Sequence, residues 1–256
     1  MKAALFVPCY VDQFFPHVAI AALTVLDRLG VHVDVPEGAV CCGQPSANAG
    51  YARVGQSTLD RFVDVYADYE RVIVLSGSCA VHVKHHAGEV VAHGGKTDGA
   101  GARVAERTTE LCTFLHDEIG VERIAALGAS FDKRVAVHIG CHALRGMGLA
   151  RPSELQLRPF DKVRALLGAV RGVEIAELSR SDECCGFGGT FAVAEPDISV
   201  KMGRDRLRDY RRHDAEAVVS TDMSCLMHLG GLARRERIGL PMFHVAEILV
   251  GTAVAS

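Results

Sequence analysis

Nine cysteines occur in this 256-residue chain, yet no two form a Cys-x-x-Cys pair. That absence removes the local knuckle from which structural zinc sites are usually built. No apolar run approaches the ~20 residues of a membrane-spanning helix. The N-terminal MKAALFVPCY carries one lysine and a short apolar stretch ending at Pro8, too brief for a secretory leader, and reads as a first strand. A reducing cytoplasm is the expected compartment, where structural disulfides are rare. The cysteines are then ligands, catalysts or core residues. Basic tracts and acidic tails are also missing, the formal net charge is −3, and no RNP, zinc-finger or helix-turn-helix signature occurs, so neither nucleic acid nor a lipid surface is an expected partner.

Nucleotide motifs fail on inspection. GGKT (94–97) resembles the tail of a phosphate loop, but Val90 stands where the first glycine belongs. Gly99 and Gly101 are followed by Val104 where a dinucleotide fingerprint needs a third glycine. No G-x-S-x-G elbow is present. A self-contained dehydrogenase has no support here, which favours a subunit that passes electrons to and from partners.

What the chain does contain is a repeat. Cys9, Cys41-Cys42-Gly43 and Cys79 in the first half are followed by Cys141, Cys184-Cys185-Gly186 and Cys225 in the second, in the same order. Short β-branched runs at 3–7 and 134–140 read as buried strands and lead into the first cysteine of each array. Second strands at 31–36 and 173–178 run into the vicinal pairs, and third strands at 71–77 and 217–221 into Cys79 and Cys225. Helical periodicity follows at Val18, Ile20, Leu23, Leu26 and Leu29 and at Val163, Leu166, Leu167 and Val170, and long helices are expected over about 51–68 and 194–213. Each half closes on an apolar helical segment, at 110–115 and 245–250. The alternation predicts an α/β fold of two homologous Rossmann-like domains, 1–128 and 129–256, each a small, mostly parallel sheet flanked by helices. The Gly-rich stretch 94–102 reads as a surface loop or linker.

In open parallel sheets ligands sit beyond the carboxyl ends of the strands, where all eight arrayed cysteines are expected to converge. Cys42, Cys79, Cys185 and Cys225 fall near expected helix N-termini, which favour the thiolate that binds metal. Gly43, Gly186, Gly188 and Gly189 permit tight turns and free backbone N–H groups for sulfur. Four thiolates also suit zinc, but distant cysteines with a vicinal pair suit a multi-iron cluster better. His82 and His228 lie three residues after Cys79 and Cys225, as added ligands or as surface or capping residues. His138 and His142 flank Cys141. His142 with Arg145 would suit a carboxylate substrate, or the histidines a structural shell around the second site. His85 and His86 read as exposed and Cys112, within an apolar helical pattern, as core.

The paired Cys…Cys-Cys-Gly…Cys modules resemble the CCG cysteine-rich domain family, whose members include the cysteine-rich subunit of heterodisulfide reductase, the iron–sulfur subunit of glycolate oxidase and lactate-utilization protein A. CCGFGGTFAVAEPDISVKMGRDRL (184–207), CCGQPSANAG (41–50) and LSGSCA (75–80) are most similar to the last group. The resemblance covers essentially the whole chain. It implies an iron–sulfur subunit of an L-lactate or related 2-hydroxy-acid oxidising complex, working with lactate-utilization proteins B and C, the former itself an iron–sulfur protein. It implies one cluster per domain, held by Cys9, Cys41, Cys42 and Cys79 and by Cys141, Cys184, Cys185 and Cys225. The modules of heterodisulfide reductase end in Cys-x-x-Cys and hold a five-cysteine non-cubane cluster. Here His82 and His228 stand at the last position, so a four-cysteine [4Fe–4S] cluster is the simpler expectation. Thiol–disulfide chemistry of the heterodisulfide reductase kind, or a structural zinc subunit, are the alternatives.

Overall fold

The computed structural model describes residues 2–39, 41–87 and 99–251. The first half runs β1 (Ala3–Phe6), α1 (Cys9–Phe14), α2 (Pro16–Arg28), β2 (Val33–Asp34), α3 (Gln44–Asn48), α4 (Ala52–Tyr66), β3 (Arg71–Val74), α5 (Gly77–His86), α6 (Ala100–Arg107), β4 (Thr108–Glu110), α7 (Leu111–Phe114) and α8 (Val121–Ala125). The second repeats the plan: β5 (Ser130–His138), α9 (Cys141–Gly146), α10 (Lys162–Leu167), β6 (Arg171–Ile175), α11 (Phe191–Ala194), α12 (Pro196–Arg212), β7 (Ala217–Ser220), α13 (Met223–Arg235), β8 (Met242–His244) and α14 (Val245–Val250).

Both sheets are four-stranded and wholly parallel, in the orders β2-β1-β3-β4 and β6-β5-β7-β8. The two-fold repeat and the α/β class expected from the periodicity are therefore present. Every residue of β1 and of β7 is buried, as strands covered on both faces require. Alternate side chains serve two cores. Ala4, Phe6, Val72 and Val74 join Leu59, Phe62 and Tyr66 of α4 on one face of the first sheet. Leu5, Ile73 and Leu75 face the opposite way, into a core shared with Val135, Val137, Val163 and Ile248 of the second half. The sharing is reciprocal, since α14 packs on α2 and α7 packs on α10. Among the described residues, no helix is long and apolar enough to cross a membrane.

The halves also interlock beside the cysteines. Helix α5 of the first half crosses α9 of the second, and α1 meets α13 in the equivalent contact. The first crossing needs glycine: a Cβ on Gly77 would lie 2.3 Å from Ala143 Cβ, and one on Gly146 2.7 Å from Val81. This crossing turns the two arrays toward each other.

Three expectations are corrected. Each sheet has a fourth strand, β4 and β8, immediately before the apolar closing helix. Residues 100–102 open α6 rather than forming a loop, while 94–98, with all of GGKT, lie outside the described residues. Cys185 is not at a helix start, because the turns after it delay α11 to Phe191.

Candidate metal centre

In each sheet the strand order reverses between the two central strands, the switch point at which ligands of such sheets bind. Cys9 and Cys141 are the first residues of α1 and α9, leaving β1 and β5; Cys79 and Cys225 lie in the first turns of α5 and α13, leaving β3 and β7. The vicinal pairs arrive from the second strand of each half. All eight line one cleft of about 850 Å³, solvent mouth included, with Tyr10, Phe187, Ser78 and Asp222 among its other walls. None of the nine cysteines is in a disulfide. Cys112 belongs to the shared core, as expected, and His85 and His86 are exposed.

The turns that aim the vicinal pairs are alike. Gly43 and Gly186 have φ of 89° and 91°, in the left-handed region that favours glycine. Their amides point at Cys41 Sγ and Cys184 Sγ, each at 3.4 Å, and the Phe187 amide donates to Cys185 Sγ at 3.4 Å. Each array concentrates negative charge on the same member. Hydrogen bonds from Cys42 and Cys9, joined by the Gly43 amide, bring the Cys41 thiol down to about 2. Bonds from Cys141 and Cys185 do the same for Cys184, also to about 2. The neighbours are pushed the other way: Cys9 is raised by its bond to Cys41 and then by burial, and Cys141 by its bond to Cys184 and then by burial.

Ser76 and Asp222 hold the two arrays in fixed relation. They occupy the same place in the repeat, each capping a helix three residues before a cysteine: Ser76 Oγ accepts from the Cys79 amide, and Asp222 accepts from the Ser224 amide. Across the interface, Ser76 Oγ and the Ser78 amide donate to Asp222 Oδ2 at 3.1 and 3.0 Å. Neither residue stands out in the cysteine pattern. A local signal exists all the same, because Ser or Asp three positions before a helix-borne cysteine is an N-cap pattern.

The other candidates scatter. His82 is buried against His86, ring centroids 4.8 Å apart, and burial followed by His86 lowers it to about 4. His228 is half-buried, with its ring 6.2 Å from Phe187. Neither lines the cleft. His142 does, with Nδ1 3.6 Å from Cys141 Sγ, but Arg145 does not: it pairs with Glu154 at 2.8 Å, away from the sulfurs. The Glu154 carboxylate thus decides where the long Arg145 side chain goes, and the two candidates are not brought together. His138 is the histidine that joins two of the sulfurs: a ring nitrogen and the Sγ atoms of Cys185 and Cys225 all lie within 4.8 Å of one another. It ends β5 and is fully buried; burial, then Arg206, lowers it to about 3, so the ring is neutral.

The cysteine-rich domain model named CCG matches residues 3–84 and 135–230, one copy for each half of the repeat. Lactate utilization protein A of Bacillus licheniformis is 34% identical over 97% of this chain and 99% of its own length. The same-named proteins of Bacillus subtilis strain 168 and Geobacillus kaustophilus are 34% and 35% identical, each over 97% of this chain and 99% and 98% of their lengths. With both modules and all eight of their cysteines in place, the chain belongs to the CCG cysteine-rich domain family, as a homologue of lactate utilization protein A.

Proposed function

We propose that this chain is the iron–sulfur, electron-transferring subunit of a system that oxidises L-lactate or a related 2-hydroxy acid. In this reading 1–128 and 129–256 are two modules, each carrying one [4Fe–4S] cluster: Cys9, Cys41, Cys42 and Cys79 hold the first, and Cys141, Cys184, Cys185 and Cys225 the second. The observation that carries it is two equivalent sets of four unpaired thiols facing one cleft. The donor set fits such a group. Thiolate is its usual ligand, the amides of Gly43, Gly186 and Phe187 already point at sulfur, and the buried His138 Nε2 has no hydrogen-bond partner. A bound cluster would supply one-electron oxidation and reduction. The cysteines bind it, the glycine turns orient their sulfurs, and Tyr10 and Phe187, rings 5.8 Å apart, narrow the access of water.

The substrate class comes from the relatives' name, and the partners are those such a system implies, an iron–sulfur protein and a third component corresponding to lactate-utilization proteins B and C. His82 and His228 are left outside the ligand set, since neither lines the cleft. Arg145 is unsuited to a carboxylate held between the arrays, and His142 is the better-placed contact.

Purification without oxygen is expected to give a brown protein with iron and sulfide in excess of zinc. Cys184→Ser is expected to remove one of two cluster signals in electron paramagnetic resonance and leave the other. Colourless protein carrying one zinc per module, or both signals persisting in the variant, would overturn the proposal.

A further inference from the structure

The two halves correspond element by element, but the layer beneath their cysteines does not match. Three residues before Cys9 stands Phe6, and three before Cys141 stands His138. The equivalence extends into α4 and α12. Gly43 lies against the carbonyl of Gly55 as Gly186 lies against that of Ser199, which aligns Phe62 with Arg206 and Tyr66 with Tyr210. In the first half, Phe6, Phe62 and Tyr66 form an aromatic cluster: Phe6 meets Phe62 at 4.9 Å and Tyr66 at 6.0 Å, both edge-on, and Phe62 lies 4.5 Å from Tyr66. The second half keeps that geometry with different chemistry. His138 meets the Tyr210 ring edge-on at 6.5 Å, and the Arg206 guanidinium lies over that ring at 4.7 Å. An aromatic trio has become a buried cation, a phenol and an imidazole.

The new groups form a chain with a direction. Arg206 Nε can only donate, and it reaches Tyr210 Oη at 3.3 Å. The Tyr210 oxygen is thereby an acceptor, and its own proton is directed to His138 Nδ1, 2.9 Å away. With Nδ1 accepting, a neutral imidazole carries its hydrogen on Nε2. That atom is buried and has no partner, and the ring stands beside Cys185 and Cys225. Leaving such a donor unpaired is costly, which argues that something sulfur-bearing completes it.

We propose that the Arg206–Tyr210–His138 chain supplies an N–H donor from His138 Nε2 to a sulfur of the second centre, and so makes the two centres inequivalent. Hydrogen bonds to cluster or cysteine sulfur are among the groups that set the reduction potential, and a donor stabilises the more negative, reduced state. The second centre is the more easily reduced of the pair, because Phe6 gives the first no corresponding donor. His138 is here a tuning residue and not a ligand, and Tyr210 and Arg206 act through it. The inference rests on the iron–sulfur reading of the site.

Redox titration of the anaerobically reconstituted full-length protein, followed by electron paramagnetic resonance, tests it. Wild type is expected to titrate in two resolved steps. His138→Phe, which copies the first half, should shift the higher step to lower potential and leave the lower one in place. A weak nitrogen coupling on one cluster signal should vanish with it. Tyr210→Phe keeps the ring and removes only the hydroxyl, so it should shift the same step in the same direction by less, at full iron and sulfide content. Unchanged titrations in both variants at wild-type iron content would overturn this inference alone. So would the strong coupling of a directly bound nitrogen, or an unmoved Tyr210→Phe step where His138→Phe loses iron. Wild type without iron and sulfide would instead overturn the reading of the site itself, and this inference with it.

Discussion

Gly186→Ala is expected to abolish the second centre and spare the first. The residue sits at φ 91°, where an L side chain is strained, at a cost of about 1–3 kcal/mol. Space is the larger obstacle. An added Cβ would lie 2.5 Å from the Ser199 carbonyl oxygen and 2.8 Å from Met202 Cβ, and the first of these is backbone of α12 and cannot rotate away. Either α12 moves outward or the Cys184–Cys185 turn opens. Overpacking of this kind adds about 1–3 kcal/mol. Opening the turn also withdraws the Gly186 amide from Cys184 Sγ. Iron per chain should fall to roughly half that of wild type, since a site whose ligands are displaced loses the binding energy that holds its metal. One cluster signal should remain. Gly189→Ala is the control: φ there is 64°, but an added Cβ meets nothing within 4 Å, so strain alone applies and the iron should stay. Full iron content and wild-type stability in Gly186→Ala would show that the turn does not set the sulfur geometry. Gly43→Ala is the mirror experiment, with a Cβ 2.5 Å from the Gly55 carbonyl oxygen, and should empty the first centre instead.

That these glycines matter is readable from the chain, because each follows a vicinal cysteine pair in a duplicated frame. The central strands are equally legible. Residues 72–74 and 217–219 are apolar and mostly β-branched, and burial on both faces leaves continuous apolar runs. The edge strands β4 and β8 are not. TTE and MFH are three residues long, too short for any period, and they exist only because β3 and β7 offer a free side to pair with. The joining of the two arrays into one cleft is also hidden. It depends on α5 crossing α9 at Gly77 and Gly146, and helix crossings between distant segments leave no local trace. His138 is legible as a shell residue of the second site from its place beside Cys141, but its coupling to Arg206 is not, for a related reason. One ends an apolar strand and the other sits among the many charges of α12, so only alignment of the two halves exposes Phe6 and Phe62 as their counterparts.

The buried ion pair beneath the second centre gives a comparably large expected change in stability. Arg206 is 0% exposed and Asp209 4%. The guanidinium bonds the Asp209 carboxylate at 3.3 Å and the Arg180 carbonyl, while Asp209 Oδ2 also accepts from the Arg180 amide at 3.2 Å. Removing one partner of such a pair strands a charge in a low-dielectric interior, at about 3–5 kcal/mol. Asp209→Val is therefore expected to lower the unfolding free energy of the metal-free, reduced protein by that amount, read from the denaturant midpoint at unchanged slope. Repair should come from the other half of the molecule, where Phe62 and Val65 hold the equivalent positions and pack in an apolar core. Arg206→Phe combined with Asp209→Val should recover most of the loss, because well-packed apolar groups replace buried ion pairs at little or no cost. The coupling between the two substitutions is the measurement that decides. A double variant no more stable than Asp209→Val, or a single variant within about 1 kcal/mol of wild type, would mean that the pair is solvated and not buried. Recovered stability has a second consequence. The double variant also loses the donor that orients Tyr210 toward His138, so a fold restored by copying the first half should carry two centres closer in potential than those of wild type. Stability and redox inequivalence would then separate in one protein, with the ion pair serving the difference between the centres more than the fold.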